Sequence, residues 1–255
     1  MKITVLGSGT SQGVPVIACD CEVCMSENPK DARLRSSVMV EENGQIFVFD
    51  TGPDFRQQML REKVQKVDAI IYTHEHKDHV AGMDDVRAYN YKWKKDVEIY
   101  CTNRVNEALH REFPYVFLDY RYPGAPSVNV NIIENKPFEI NGVEILPIEA
   151  IHYRLPVFGF RIKDFVYLTD VSSISKIEKE KMKNADLLIL DALRRKPHVS
   201  HLTLDEALQL IKELNPKQAL LTHISHYMGK YDDLIKELPN NIAPAFDGQT
   251  IILNE

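Results

Sequence analysis

The chain has 255 residues, 44% hydrophobic and 27% charged, with a mean hydropathy of -0.28. That excludes a disordered chain, which needs few apolar groups and a high net charge, and 11 Gly and 13 Pro exclude a fibrous or low-complexity one. Thirty-one Lys and Arg against 37 Asp and Glu give a formal charge of -6, which disfavours gripping nucleic acid through its phosphates.

From the start, Met1 and Lys2 lead into an apolar stretch that stops at Gly7, too short for a signal peptide. No apolar run approaches the roughly 18 residues of a membrane span. A cytoplasmic location with no membrane partner is expected. Residues 3–6, 37–40 and 46–49 read as strands, the last two as a hairpin around Glu42-Asn43-Gly44. A helical pattern follows over 54–63, and the nearly continuous apolar run 67–73 suits a strand buried on both faces. Helix is expected near 79–90, strand over 97–101 and helix near 103–112. The segment 110–127 is rich in aromatics (Phe113, Tyr115, Phe117, Tyr120, Tyr122), and no role is assigned to it.

Residues 128–148 resemble a pair of strands turning at Asn141-Gly142, and 158–162 with 165–170 surround a tight turn at Lys163-Asp164. Helix and strand then alternate: 174–183, 187–190, 203–213, 219–222 and 229–237, with a closing pair of strands near 242–253. Mixed hairpins and crossover helices predict an α/β (α+β) architecture of sheets covered by helices. Without repeats, linkers or long charge runs, residues 1–255 read as a single domain.

Two constellations carry chemistry. After the apolar strand the sequence runs Thr73-His74-Glu75-His76-Lys77-Asp78-His79. His74 and His76, two apart in extended chain, project to one side, and Asp78 and His79 lie at the start of a helix. A core histidine explains one such residue, not three beside an Asp. Imidazole and carboxylate donors suit Zn, Mn, Fe or Co. Four ligands cannot saturate two metals, and His152, Asp170 and His223, each at or just beyond a predicted strand end, are available partners. The second constellation is Cys19, Cys21 and Cys24. In a reducing compartment clustered thiols read as metal ligands, and a closed structural zinc site wants a fourth donor, for which His226 is the candidate. Three free thiols and a surface histidine are the plain alternative. Gly7-Ser8-Gly9-Thr10-Ser11-Gln12-Gly13 is not a dinucleotide fingerprint, because its glycine spacing differs and Pro15 and the Cys cluster replace the expected helix.

On these residues the chain resembles the metallo-β-lactamase-fold superfamily over essentially its whole length. The resemblance implies a four-layer αββα sandwich with a binuclear site at one edge. By it, His74, His76 and His152 hold one metal, Asp78, His79 and His223 the other, and Asp170 bridges, with Zn or Mn as the metals. Asp50 resembles the superfamily's structural carboxylate beneath the site. Asp170, where the β-lactamases of this fold place a Cys, points to the phosphodiesterase and thioesterase branches. The GSGTSQGVP segment, the Cys-x-Cys-x-x-Cys cluster and His223-Ile224-Ser225-His226 resemble one subgroup, the phosphoribosyl 1,2-cyclic phosphate phosphodiesterases of the carbon–phosphorus lyase pathway. The pyrroloquinoline quinone biosynthesis protein B shares the Cys cluster.

The resemblance implies hydrolysis of a small phosphodiester, cyclic ones included, by a metal-bridging hydroxide. Asp78 and His201 are then the catalytic candidates, His201 supplying a proton or contacting the phosphate; His198 is a weaker candidate for that task. Two active-site metals and one structural Zn are the expected cofactors, a homodimer is left open, and nucleic acid is disfavoured as a partner. The rival readings are a tRNA 3′-processing endonuclease, a glyoxalase II-like thioesterase and a non-catalytic accessory protein of cofactor synthesis.

Overall fold

The computed structural model describes residues 1–254 apart from Asp119 and Arg121. The first sheet is built from β1 (Lys2–Gly7), β2 (Ser37–Glu42), β3 (Gln45–Phe49), β4 (Ala69–Ile71), β5 (Val97–Cys101) and β6 (Val128–Ile132), side by side in that order. β7 (Phe138–Ile140), β8 (Val143–His152), β9 (Leu155–Ile162), β10 (Phe165–Leu168), β11 (Ser173–Ile174), β12 (Leu187–Asp191), β13 (Gln218–Thr222) and β14 (Ile242–Pro244) form the second. Its order is β11-β8-β9-β10-β12-β13-β14, with β7 paired to β8. β15 (Thr250–Ile252) returns to the first sheet beside β1.

Period-2 alternation sorts the side chains into layers. Ile3 and Val5, Phe47 and Phe49, and Ala69 and Ile71 meet Phe160, Tyr167, Leu187 and Ile189 between the sheets. The intervening Leu6, Val48 and Ile70 pack under α1 (Phe55–Arg61), α3 (Arg87–Trp93) and α4 (Asn103–Glu112); the short α2 (Lys77–Val80) precedes α3. On the far side Leu188 and Leu190 pack under α5 (Lys176–Met182), α6 (Leu204–Leu214) and α7 (Tyr231–Glu237). The result is the expected αββα sandwich. β4 and β12 read as unbroken apolar runs because both of their faces are buried. No helix among the described residues is long and apolar enough to cross a membrane.

Three local expectations are corrected. Residues 128–132 do not join a hairpin at Asn141-Gly142; they pair in parallel with β5, and the hairpin there is β7–β8. The closing strands part company, β14 lying parallel to β13 in one sheet and β15 antiparallel to β1 in the other. Helix over 79–90 is interrupted by a 3-10 turn, Met83–Val86. Gly82 sits there because its backbone crosses Gly52: a Cβ on Gly82 lands 2.2 Å from the Gly52 carbonyl oxygen. In the aromatic segment, Phe117 stacks on His110 at 3.8 Å and Tyr115 Oη donates to Asp84 Oδ1 at 2.5 Å, while Asp119 and Arg121 lie outside the described residues.

β3, β4 and β5 run parallel, as do β10, β12 and β13, so their carboxyl ends collect at one edge, the usual ligand edge of such sheets. Two stitches join the sheets there. Phe158 N donates to Thr73 O at 3.0 Å, and Ile224 N donates to Ser8 O at 3.0 Å. Phe160, fully buried and 5.4 Å from Phe49 between ring centroids, carries much of the contact between the sheets. Phe160→Ala is expected to cost about 3–5 kcal/mol. Urea unfolding checks this; a loss under about 1 kcal/mol would remove that contact from the account of stability.

Candidate metal centre

The residues that end the parallel strands converge. Asp50 follows β3, His74 lies just beyond β4, Asp170 beyond β10, Asp191 ends β12, and His223 follows β13. Asp50, Asp170 and His223 each adopt left-handed backbone, with φ of 64°, 54° and 57°. Such conformations cost non-glycine residues free energy and concentrate at functional sites. Here each one turns the chain sharply at a strand end and delivers a side chain to the common edge.

The donor atoms of His74, His76 and His152 lie within 4.8 Å of one another, as do those of Asp78, His79, Asp170 and His223. Asp170 stands between the groups: Oδ2 is 3.2 Å from His79 Nε2 and 3.1 Å from His223 Nδ1, and Oδ1 is 4.0 Å from His74 Nε2 and 3.9 Å from His152 Nε2. All seven sequence-predicted donors are thus brought together.

Outer partners orient them. Asp50, wholly buried, accepts from His79 Nδ1 at 2.7 Å, from Thr73 N at 2.8 Å and from Thr73 Oγ1 at 2.8 Å. Thr73 Oγ1, its proton committed to Asp50, accepts in turn from His74 Nδ1 at 3.0 Å. His152 Nδ1 donates to the Ser200 carbonyl at 2.8 Å. In all three rings the Nδ1 proton is committed, which leaves the Nε2 lone pair for a metal. His79 Nε2 is buried and, though 3.2 Å from carboxylate oxygens of Asp78 and Asp170, is aligned for a hydrogen bond with neither. That orphaned nitrogen, facing two carboxylates among neutral imidazoles, fits a divalent cation.

The electrostatics agree. Burial holds His74, His152 and His223 below the usual imidazole range, so their lone pairs are free. Burial also opposes charge on Asp170, but His223 and His79 outweigh it and hold the carboxyl well below its ordinary range. For His79 burial is overcome by Asp78, Asp170 and Asp50, which hold it above the imidazole range. The same negative field suits a bound cation.

His201 lies against this cluster with Nε2 3.9 Å from Asp170 Oδ1 and its ring stacked on His223 at 4.8 Å. Its Nδ1 is 3.3 Å from Asp191 Oδ1, while Asp191 Oδ2 accepts from Leu202 N at 3.2 Å. Burial alone pulls His201 down; Asp191, then Asp170, carry it up to about 9. Asp191 is the residue that sequence reasoning missed, although it ends a strand as Asp170 nearly does. A capping box between Thr203 and Glu206 starts α6 and fixes the chain just after His201.

Away from this edge, the Sγ atoms of Cys19, Cys21 and Cys24 lie 3.2, 3.4 and 3.4 Å from His226 Nδ1. The Cys24 N–H, donating to Cys21 Sγ, holds the Cys21 thiol down to about 6, while burial pushes Cys24 up to about 11. Three thiols and one imidazole in mutual reach match the donor set of a closed zinc site.

A family model described as "Beta-lactamase superfamily domain" matches residues 46–224. Among solved structures, a diphosphatase from the PhnP family superposes with a TM-score of 0.93 at 39% identity, covering 99% of this chain and 98% of that one. An octanoyltransferase of Porphyromonas gingivalis is 35% identical over 100% of this chain but 52% of its own length. A ribonuclease Z of Nostoc sp. is 26% identical over 64% of this chain and 47% of its own. The chain thus spans about half the length of these two curated relatives.

Replacing Asp50 by Asn keeps the shape but removes the charge that orients His79 and Thr73. Metal affinity at the histidine clusters is expected to fall roughly 10–100-fold with the thiol cluster's zinc retained, as read by metal analysis after dialysis. Cys21→Ser has the opposite signature, lower zinc content and a lower melting temperature; an unchanged melting temperature would show that this cluster holds nothing in place.

Proposed function

The chain belongs to the beta-lactamase superfamily and is a metallo-β-lactamase-fold hydrolase; from that premise we propose that residues 1–255 form one domain, a two-metal phosphodiesterase acting on a small phosphodiester, cyclic ones included. The observation that carries the reading is Asp170, a carboxylate within 4.0 Å of imidazoles from both histidine clusters. A shared carboxylate between two such donor sets suits a pair of hard or borderline cations and the phosphoryl oxygens they bind. The 39% identity to a protein described as a diphosphatase supports the phosphoryl class.

In this reading His74, His76 and His152 hold one cation and Asp78, His79 and His223 the other, with Asp170 common to both. Divalent cations there supply a nucleophile at neutral pH and neutralise charge on the phosphoryl oxygens. The chain's own groups do the rest. Asp50, through His79, Thr73 and His74, keeps donor nitrogens aimed at one point. Asp191 holds His201 Nδ1, so that Nε2 presents its proton beside Asp170, where a leaving oxygen accepts it. Asp191 and His201 thus act as orienter and acid, a dyad logic familiar from other hydrolases.

A second reading, an endonuclease of the ribonuclease Z kind, is supported by the Nostoc relative at 26% identity. Cleavage of a tRNA precursor by the metal-loaded protein separates the two.

Hydrolysis of bis(p-nitrophenyl) phosphate, beside a p-nitrophenyl monoester and a thioester, is the direct test. Asp170→Ala is expected to abolish diester cleavage without unfolding the chain, and retained turnover would refute the two-metal scheme. The acid role has a separate signature in the pH profile. An acid works while protonated, so activity is lost as pH rises through the His201 pKa of about 9. Asp191→Asn removes the charge that raises it, so the basic limb is expected to move to lower pH by roughly one unit or more. An unmoved limb would take His201 out of the acid role.

A further inference from the structure

Between β12 and α6 the chain forms a loop that carries more than His201. Its Ser200 carbonyl fixes His152 at 2.8 Å. Ser200 N donates to His198 Nδ1 at 3.4 Å, and Ser200 Oγ lies 3.1 Å from the same nitrogen. An accepting Nδ1 puts the ring proton on Nε2. The His198 ring stands 5.2 Å from that of His201, one step further from the histidine clusters. Arg194 braces the loop from below, Nε donating to Lys196 O at 3.1 Å and Nη2 to Pro197 O at 2.7 Å.

What distinguishes this loop is its uncompensated charge. Arg195 pairs with Glu237 at 2.9 Å. Arg194 and Lys196 have no carboxylate partner among the described residues, in a chain whose formal charge is -6. Two unpaired cations and an oriented imidazole donor beside a metal-ligand cluster form a surface that attracts anions. The separation of the two rings suits two phosphoryl groups joined by one bridging oxygen, the nearer against His201 and the further against His198.

We propose that Arg194, Lys196 and His198 form a subsite for a second phosphoryl group, adjacent to the one attacked, so that the preferred substrate is a diphosphate diester. The assignment rests on the phosphodiesterase reading for the place of attack. The reaction balances simply: water oxygen bonds to the phosphorus beside His201, and the bridging P–O bond breaks. The bridging oxygen departs with the second phosphoryl group, and the two protons of water are shared between the two monoester products and solvent. His198 and the two cations hold the departing phosphoryl group and offset the charge that it gains.

The test is equilibrium binding of methylenediphosphonate, which cannot be hydrolysed, and of methylphosphonate to the metal-loaded protein by calorimetry. The wild type is expected to prefer the diphosphonate, and His198→Ala and Lys196→Ala are each expected to narrow that preference roughly tenfold. A loop that merely props His152 through Ser200 would, when disturbed, weaken both ligands equally; an unchanged ratio in both variants overturns the proposal. So does a wild type without preference. Cleavage of bis(p-nitrophenyl) phosphate, scored separately, decides the phosphodiesterase reading, and the binding ratio does not depend on it.

Discussion

The buried carboxylate of Asp50 is the interaction on which the metal centre depends. It has no exposure to water, so every lone pair must be met from within, and Thr73 N, Thr73 Oγ1 and His79 Nδ1 meet them. Through these bonds one side chain at the end of β3 sets the exit of β4, the tautomer of His79 and, by way of Thr73, that of His74. A charge in such a place is costly unless it is fully partnered. The same cost makes the arrangement specific, since any other packing of these loops strands the carboxylate.

That hub explains why some of the centre was legible in the sequence and some was not. His74, His76, Asp78 and His79 sit within six residues, and their meaning survives without tertiary information. His152, Asp170 and His223 were legible only as strand ends, which worked because parallel strands in both sheets finish at the same edge. Asp191 obeyed the same rule and was passed over, because the residue it serves, His201, comes ten positions later and nothing local links them. The left-handed turns at Asp50, Asp170 and His223 were illegible altogether. Asp and His carry no mark of positive φ as glycine does, and the conformation is imposed by what the side chains reach.

The fold was readable wherever a strand's partner is its neighbour in sequence, as in β2–β3 and β9–β10. It was misread where pairing is long-range. A period of two in residues 128–132 says that a strand exists and which face is buried, but not that its partner is β5 rather than the hairpin just downstream. The closing strands failed for the same reason, each being short, apolar and equally suited to either sheet until the order of neighbours is known.

The thiol cluster bears on the histidine clusters through one short segment. His223 and His226 are three residues apart, and between them Ile224 is paired on both sides, its N–H donating to Ser8 O and its carbonyl accepting from Thr10 N at 3.2 Å. The N-terminal loop that carries Cys19, Cys21 and Cys24 therefore clamps the same backbone that delivers His223. With Ile224 already fixed by ladder bonds, the thiol cluster's mechanical task is further out, at the turn His226–Met228 and the loop that faces it. That turn receives Arg195 through the Met228 carbonyl at 3.0 Å, and Arg195 is the neighbour of Arg194. A zinc held by the thiols would thus steady the base of the cationic loop more directly than the ligand His223. The divided labour follows from which backbone groups are already bonded.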